Sequence, residues 1–399
     1  MNQKYRLLLS ALLALSISLG LSAQDSRHNI SGFSRWSHVL DGHGIYDEIL
    51  ESYDYALGGI QFGFDTHPSD SSYYASAWNY PHLALGLSFA NMGSLDFKND
   101  SSLGDIVNLY GSVRFDILKN SVFSFSPVLE LGLAYSPIRY HFYTNPHNLY
   151  IGSNLFFDLG AGLETAFHLT PRWDIALTAY LTHHSNGMLS VPNWGINEFS
   201  AGGALRYNFA PIYTGKKVKI PEPDYRKGLQ WNIYAAGGVH SCDVERKALR
   251  KLYEEGLAKP NDSYPISARP RLLAGVEGIY RYSPLFAAGM GLEANYAWND
   301  YRGSDLILKG EEDPAGYSPF YAAAYLTHEF YYSRLSFHVM WGAYLYKKTG
   351  LTEDMGKTFQ RIGLRYHFSP AGKFYAGFDM RAHYWDRSYC LELSLGMTL

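Results

Sequence analysis

His183 and Ser185 stand two residues apart in the run Leu181-Thr182-His183-His184-Ser185-Asn186-Gly187, which is followed by Pro192-Asn193-Trp194-Gly195-Ile196-Asn197-Glu198. On a strand, residues i and i+2 project from one face, so an imidazole at 183 is placed to accept the hydroxyl proton of Ser185 and make it a nucleophile. The pattern His-x-Ser alone is weak, because His67-Pro68-Ser69 and His367-Phe368-Ser369 repeat it, the first around a proline and the second at a strand end before Pro370. The surroundings of His183 and Ser185 distinguish them. The odd positions leading up to the pair are Trp173, Ile175, Leu177, Ala179 and Leu181, an oily stripe on which a polar His and Ser are costly if merely structural.

That stripe is one of many. From Asn154 to Leu169 the odd positions are Leu155, Phe157, Leu159, Ala161, Leu163, Thr165, Phe167 and Leu169, while the even ones include Asn154, Asp158, Gly160, Gly162, Glu164 and His168. Period-two alternation recurs in 83–89, 173–185, 374–384 and 389–399, mostly over stretches long enough to cross a bilayer core as a tilted strand. The oily faces are rich in Leu, Phe and Tyr, whereas the other face carries Asp158, Glu164, Asp174, Arg206, Asp379 and Arg381 among glycines, as a narrow hydrated lumen would. A soluble sandwich also alternates, but it does not put lipid-type side chains outside and charges inside. The expected fold is all-β, a transmembrane antiparallel β-barrel of the bacterial outer membrane.

Strands are expected near 28–38, 52–66, 81–92, 105–119, 121–135, 153–169, 173–185 and 196–209, and again near 228–241, 266–282, 285–299, 316–331, 333–346, 358–369, 373–386 and 388–399. The total is about sixteen, an even number suited to one large barrel or to two units of eight. Between the sets, Pro211 to Lys227 has linker composition. Leu205-Arg206-Tyr207-Asn208-Phe209-Ala210-Pro211 closes the first set, and Leu364-Arg365-Tyr366-His367-Phe368-Ser369-Pro370 echoes it late in the second, through duplication or through a shared strand-end girdle.

Composition agrees with export to a membrane. Of 399 residues, 47% are hydrophobic and 16% aromatic, with 34 Tyr and 38 Gly, which excludes disorder. A formal net charge of -3 offers no basic face for nucleic acid, and two cysteines make neither a disulfide framework nor a zinc motif. Lys4 and Arg6, the apolar run Leu7 to Leu21 and the small Ser22-Ala23 read as a signal peptide over 1–23, with the mature chain starting at Gln24 and no Cys there for a lipid anchor. The charged segment Asp243 to Lys259 reads as a short helix in a loop, either a solvated face or a contact for lipopolysaccharide head groups.

The run His183-His184-Ser185-Asn186-Gly187 with Pro192-Asn193-Trp194-Gly195-Ile196-Asn197 resembles the outer-membrane lipid A 3-O-deacylase family (PagL), also described as acyloxyacyl hydrolases, and most of all its long Bacteroidetes-type members. Their pattern is H-x-S-N-G, a short loop, then P-N-x-G-[IL]-N. Asn145-Pro146-His147-Asn148-Leu149-Tyr150-Ile151-Gly152-Ser153 and Trp78-Asn79-Tyr80-Pro81 are similar to that group too. The likeness is strong over about residues 52–211 and looser to Leu399, so 24–211 is expected to be the deacylase half and 212–399 a second barrel half without its own site.

The resemblance implies a serine esterase acting on the outer leaflet, which takes a 3-hydroxyacyl chain from lipid A of lipopolysaccharide with Ser185 as nucleophile and His183 as base. It also implies a third residue that orients the imidazole, a Glu roughly a dozen residues beyond the serine. Glu198 is the nearby acid, yet alternation puts Asn197 with Phe199, Ala201, Leu205 and Tyr207 on the lipid face and Glu198 inside with Ser200, Gly202 and Arg206. Strand geometry therefore favours Asn197, unless a bulge at the strand start turns Glu198 outward. Asn186 and Gly187 offer backbone N–H groups to an oxyanion, and the chemistry needs no metal or other cofactor. The competing readings are a non-enzymatic barrel, such as a porin or scaffold, and an esterase for another outer-leaflet lipid.

Overall fold

The computed structural model describes residues 27–40, 49–97, 101–212, 217–241, 255–256, 269–297, 318–348, 356–369, 373–384 and 387–399. The expected signal peptide, 1–23, lies outside the described residues, as does all of the charged segment 243–259 except Glu255 and Gly256.

The first nine strands are β1 (His28–Val39), β2 (Asp54–Asp65), β3 (His82–Ala90), β4 (Ile106–Arg114), β5 (Leu118–Lys119), β6 (Phe123–Tyr135), β7 (Leu155–His168), β8 (Trp173–Ser185) and β9 (Ile196–Asn208). They pair in the order β4-β3-β2-β1-β9-β8-β7-β6-β5, and a further pairing of β4 with β6, from Val107↔Tyr135 to Arg114↔Val128, closes the ring through eight of them. The two-residue β5 remains as an appendage of β6. The expected strand 105–119 is thus divided after Arg114, where the Asp116 carboxylate turns inward to accept from Ser126 Oγ at 2.7 Å and to pair with Lys119 at 2.8 Å.

The second set is β10 (Gly228–His240), β11 (Arg269–Arg281), β12 (Phe286–Ala297), β13 (Phe320–Tyr332), β14 (Leu335–Lys347), β15 (Thr358–His367), β16 (Phe374–His383) and β17 (Arg387–Thr398), closed in sequence order. Because β9 returns to β1 and β17 to β10, each set of eight uses up its own edges. The fold is therefore two closed eight-stranded antiparallel barrels of the outer-membrane type, and a single wall of sixteen strands is excluded. Closure pairs the edge N–H and C=O groups that hydrocarbon cannot solvate.

Alternation decides what faces where. On β8 the side chains of Trp173, Ile175, Leu177 and Leu181 are exposed, whereas Asp174, Thr178 and Tyr180 are buried. The thirteen residues of β8 and of β9 exceed the roughly ten that a tilted strand needs to cross the hydrocarbon layer. Inside the first barrel Glu164 accepts from Arg114 and from Arg206, each at 2.7 Å. Inside the second, Arg381 reaches Glu293 at 2.6 Å and Glu392 at 3.0 Å, Arg365 joins Glu277 and Glu329, and His338 meets Asp379 at 2.6 Å. Such charges are tolerated in the interior because each is paired and hydrogen-bonded.

The described residues fall into two compact units, the first drawn from residues up to 138, 157–184 and 196–220, and the second from 139–156, 185–195 and 221–399. The segments 139–156 and 185–195, which follow β6 and β8, are thereby grouped with the second unit.

Candidate active site

In the first unit, β8 and β9 pair without a register shift from Trp173↔Tyr207 to His184↔Ile196, so His183 lies directly opposite Asn197. Directly opposed residues of an antiparallel pair share a face and bring their side chains within reach. His183 Nδ1 lies 2.7 Å from Asn197 Oδ1. An amide oxygen only accepts, so Nδ1 carries the proton and Nε2 keeps the lone pair that a base requires. Glu198, by contrast, is buried on the interior face, with Oε2 3.6 Å from His184 Nε2. The bulge that would turn Glu198 toward His183 is not present in this pairing.

Ser185 ends β8, two residues past His183, and begins the segment 185–195 of the second unit. Its Oγ accepts from Asn193 Nδ2 at 2.9 Å and from the backbone N–H of Gly187 at 3.2 Å. The described partners of Ser185 lie in its own unit. Gly187 and Met188 hold φ of 63° and 64°, a left-handed turn that folds the Gly187 N–H back over the serine. Asn193 Oδ1 accepts the N–H of Asn186 at 2.9 Å, and the Asn186 side chain in turn donates to Ser190 O at 2.9 Å. Of the two expected oxyanion donors, Gly187 N–H points at Ser185 Oγ, while Asn186 N–H is spent on Asn193.

The spacing of Pro192-Asn193-Trp194-Gly195-Ile196-Asn197 has a physical explanation in these contacts. Asn193 reaches back to the serine, and Trp194 N and Gly195 N donate to Leu149 O and Tyr150 O at 3.2 and 3.1 Å. Gly195, at φ 72°, reverses the chain into β9, where Asn197 meets His183. Sequence reasoning noted Asn193 as part of a motif but assigned it no role. Its signal was the eight-residue offset from Ser185, which becomes meaningful only once the turn is seen.

The other two His-x-Ser runs make different contacts, and His67 Nδ1 also lies 2.9 Å from Ser69 Oγ. His67 caps the 3-10 helix Pro68–Asp70, accepting the Ser69 N–H at 3.1 Å, and His367 lies inside the second barrel with Nε2 3.1 Å from Ser336 Oγ. Among the described residues no group of three or more His, Cys, Asp or Glu is arranged to hold a metal ion.

Two family models match the chain, that of the lipid A 3-O-deacylase (PagL) over residues 60–206 and that of the acyloxyacyl hydrolase C-terminal domain over residues 229–399. The chain belongs to the PagL-type acyloxyacyl hydrolase family. The first match takes in His183, Ser185, Asn193 and Asn197, and the second spans nearly all of β10 to β17. Among solved structures, the outer membrane enzyme PagL is 16% identical over 46% of this chain and 99% of its own, with a TM-score of 0.28. An outer membrane channel from Pseudomonas putida F1 is 10% identical over 94% and 96% of the two chains, with a TM-score of 0.20. A variant of the Rh. blastica porin is 8% identical over 93% and 99%, with a TM-score of 0.18. No curated protein matches this chain.

Proposed function

We propose that this chain is an outer-membrane serine esterase that removes the 3-O-linked hydroxyacyl chain from lipid A of lipopolysaccharide in the outer leaflet. The observation that carries the reading is the 2.7 Å hydrogen bond from His183 Nδ1 to Asn197 Oδ1 on the outward face of β8 and β9, and the sequence sets Ser185 two residues beyond that histidine. A porin has no use for an oriented imidazole facing lipid, whereas an esterase for an outer-leaflet glycolipid needs one.

In the first step Ser185 Oγ attacks the ester carbonyl carbon, its proton passes to His183 Nε2, and the carbonyl electrons move onto oxygen. On this reading Gly187 N–H and Asn193 Nδ2, which bond Ser185 Oγ in the resting site, turn to the oxyanion as it forms. When the carbonyl re-forms, the bond to the sugar oxygen breaks and the imidazolium proton goes to it, leaving a free 3-hydroxyl on lipid A and an acyl-Ser185. Water then attacks the acyl-enzyme with His183 again as base, which releases the 3-hydroxy fatty acid and restores the serine.

Mass spectrometry of lipid A incubated with the purified full chain should show the loss of one 3-hydroxyacyl group and the appearance of that fatty acid. Loss of a secondary acyl chain, or cleavage of phospholipid only, would replace the substrate assignment. The orienter is tested by kinetics on the same material: a base without its orienting partner holds the wrong tautomer but still binds substrate. Asn197→Ala should therefore lower kcat by about tenfold to a hundredfold with little change in KM, and Glu198→Gln should cost little. The reverse pattern would assign orientation to Glu198.

A further inference from the structure

We propose that Ser388, at the start of β17, is a positioning residue of the deacylase site, holding the Asn193 amide that donates to Ser185. The inference rests on the serine-esterase reading and deepens it. Ser388 belongs to the same compact unit as residues 185–195, with its Oγ 3.0 Å from Asn193 Nδ2 and 3.2 Å from Ser185 Oγ.

The amide chemistry makes this arrangement specific. A backbone N–H can only donate, so the 2.9 Å bond from Asn186 N fixes which end of the Asn193 side chain is oxygen. The amide nitrogen must then face the two serines. It has two hydrogens; one serves Ser185 Oγ and the other Ser388 Oγ. Three of the four hydrogen-bonding positions of the amide are filled, and turning it about χ2 breaks all three bonds together. With Asn193 and Gly187 N–H occupying the lone pairs of Ser185, the Ser388 oxygen is the neighbour able to accept the Ser185 hydroxyl proton at rest. Ser388 Oγ is thereby the acceptor shared by the second Asn193 hydrogen and the Ser185 hydroxyl.

The turn carrying Ser185 is anchored in the same place by other contacts. Ser241, just past β10, donates its N–H to Met188 O at 2.6 Å and its hydroxyl to Leu189 O at 3.0 Å. A Cβ added to Gly187, at φ 63°, would lie 2.6 Å from Leu391 Cγ on β17, so a larger residue there strains the turn and displaces Leu391. The ends of β10 and β17 thus shape the segment that presents Ser185, which gives the second barrel a part in the chemistry.

The test uses the full chain and a fluorophosphonate probe that labels nucleophilic serines, alongside lipid A kinetics. Ser388→Ala should slow labelling of Ser185 and lower kcat about tenfold while KM stays within about twofold, and Ser388→Thr, which keeps the hydroxyl, should recover to within about threefold of the native rates. Heat-modifiable gel migration reports that the barrels remain closed. Native-rate labelling in Ser388→Ala overturns this inference and leaves the serine reading standing, as does an equal loss in Ser388→Thr. A native chain that the probe does not label at Ser185 overturns both.

Discussion

Ser185→Ala and His183→Ala should each lower deacylation by about 10⁴-fold or more, and the double substitution should be hardly worse than either alone. A nucleophile and its base act as one unit. Without the hydroxyl there is no oxygen for His183 to deprotonate, and without the imidazole the Ser185 proton has no base to take it as the carbon–oxygen bond forms. What survives is binding and whatever the oxyanion donors contribute by themselves. The fold should survive as well. Ser185→Ala leaves Asn193 Nδ2 and Gly187 N–H without their acceptor, a local cost of about 1–3 kcal/mol, while the ladders that close both barrels are untouched. Lipid A turnover by mass spectrometry and heat-modifiable migration on the same samples separate the two effects. Substantial turnover by folded Ser185→Ala would sink the serine mechanism.

The next largest effect is expected at Asn193. Its Nδ2 is a side-chain donor 2.9 Å from Ser185 Oγ, and in the proposed mechanism it receives the oxyanion. Removing one such donor costs about 10²- to 10³-fold in kcat, because the charge exists only in the transition state and its intermediate. Asn193→Ala should therefore lower kcat by that factor with KM nearly unchanged. Asn193→Asp should do at least as much harm: a carboxylate still accepts the Asn186 N–H but confronts the developing charge with a charge of the same sign. A kcat within about threefold of native in Asn193→Ala would transfer the oxyanion role to Gly187 N–H alone.

The strands and their faces were legible because period two is written residue by residue. Leu177 and Leu181 outside, Thr178 and Tyr180 inside, follow from alternation without knowledge of any partner strand. The same count carried over to β9 set Asn197 outward and Glu198 inward, which is how the structure has them. The break after Arg114 was not legible, since Ile117 and Leu118 continue an apolar run while the buried Asp116 interrupts the alternation through its contacts with Ser126 and Lys119.

By itself, then, the sequence determined strands of membrane-spanning length, which side of each meets lipid, and the placing of His183 and Asn197 on one outward face, since all of these are properties of neighbours along the chain. Tertiary structure decided the rest. Sixteen alternating strands are equally compatible with one ring or two, and only the returns of β9 to β1 and β17 to β10 choose between them. Likewise, the polar set around Ser185 depends on left-handed backbone at Gly187 and Met188 and on Ser388, which lies 203 residues further along the chain. Hydrogen bonds over such separations require the barrel that carries Ser388 to have closed, and local periodicity holds no record of which distant side chain closure brings near.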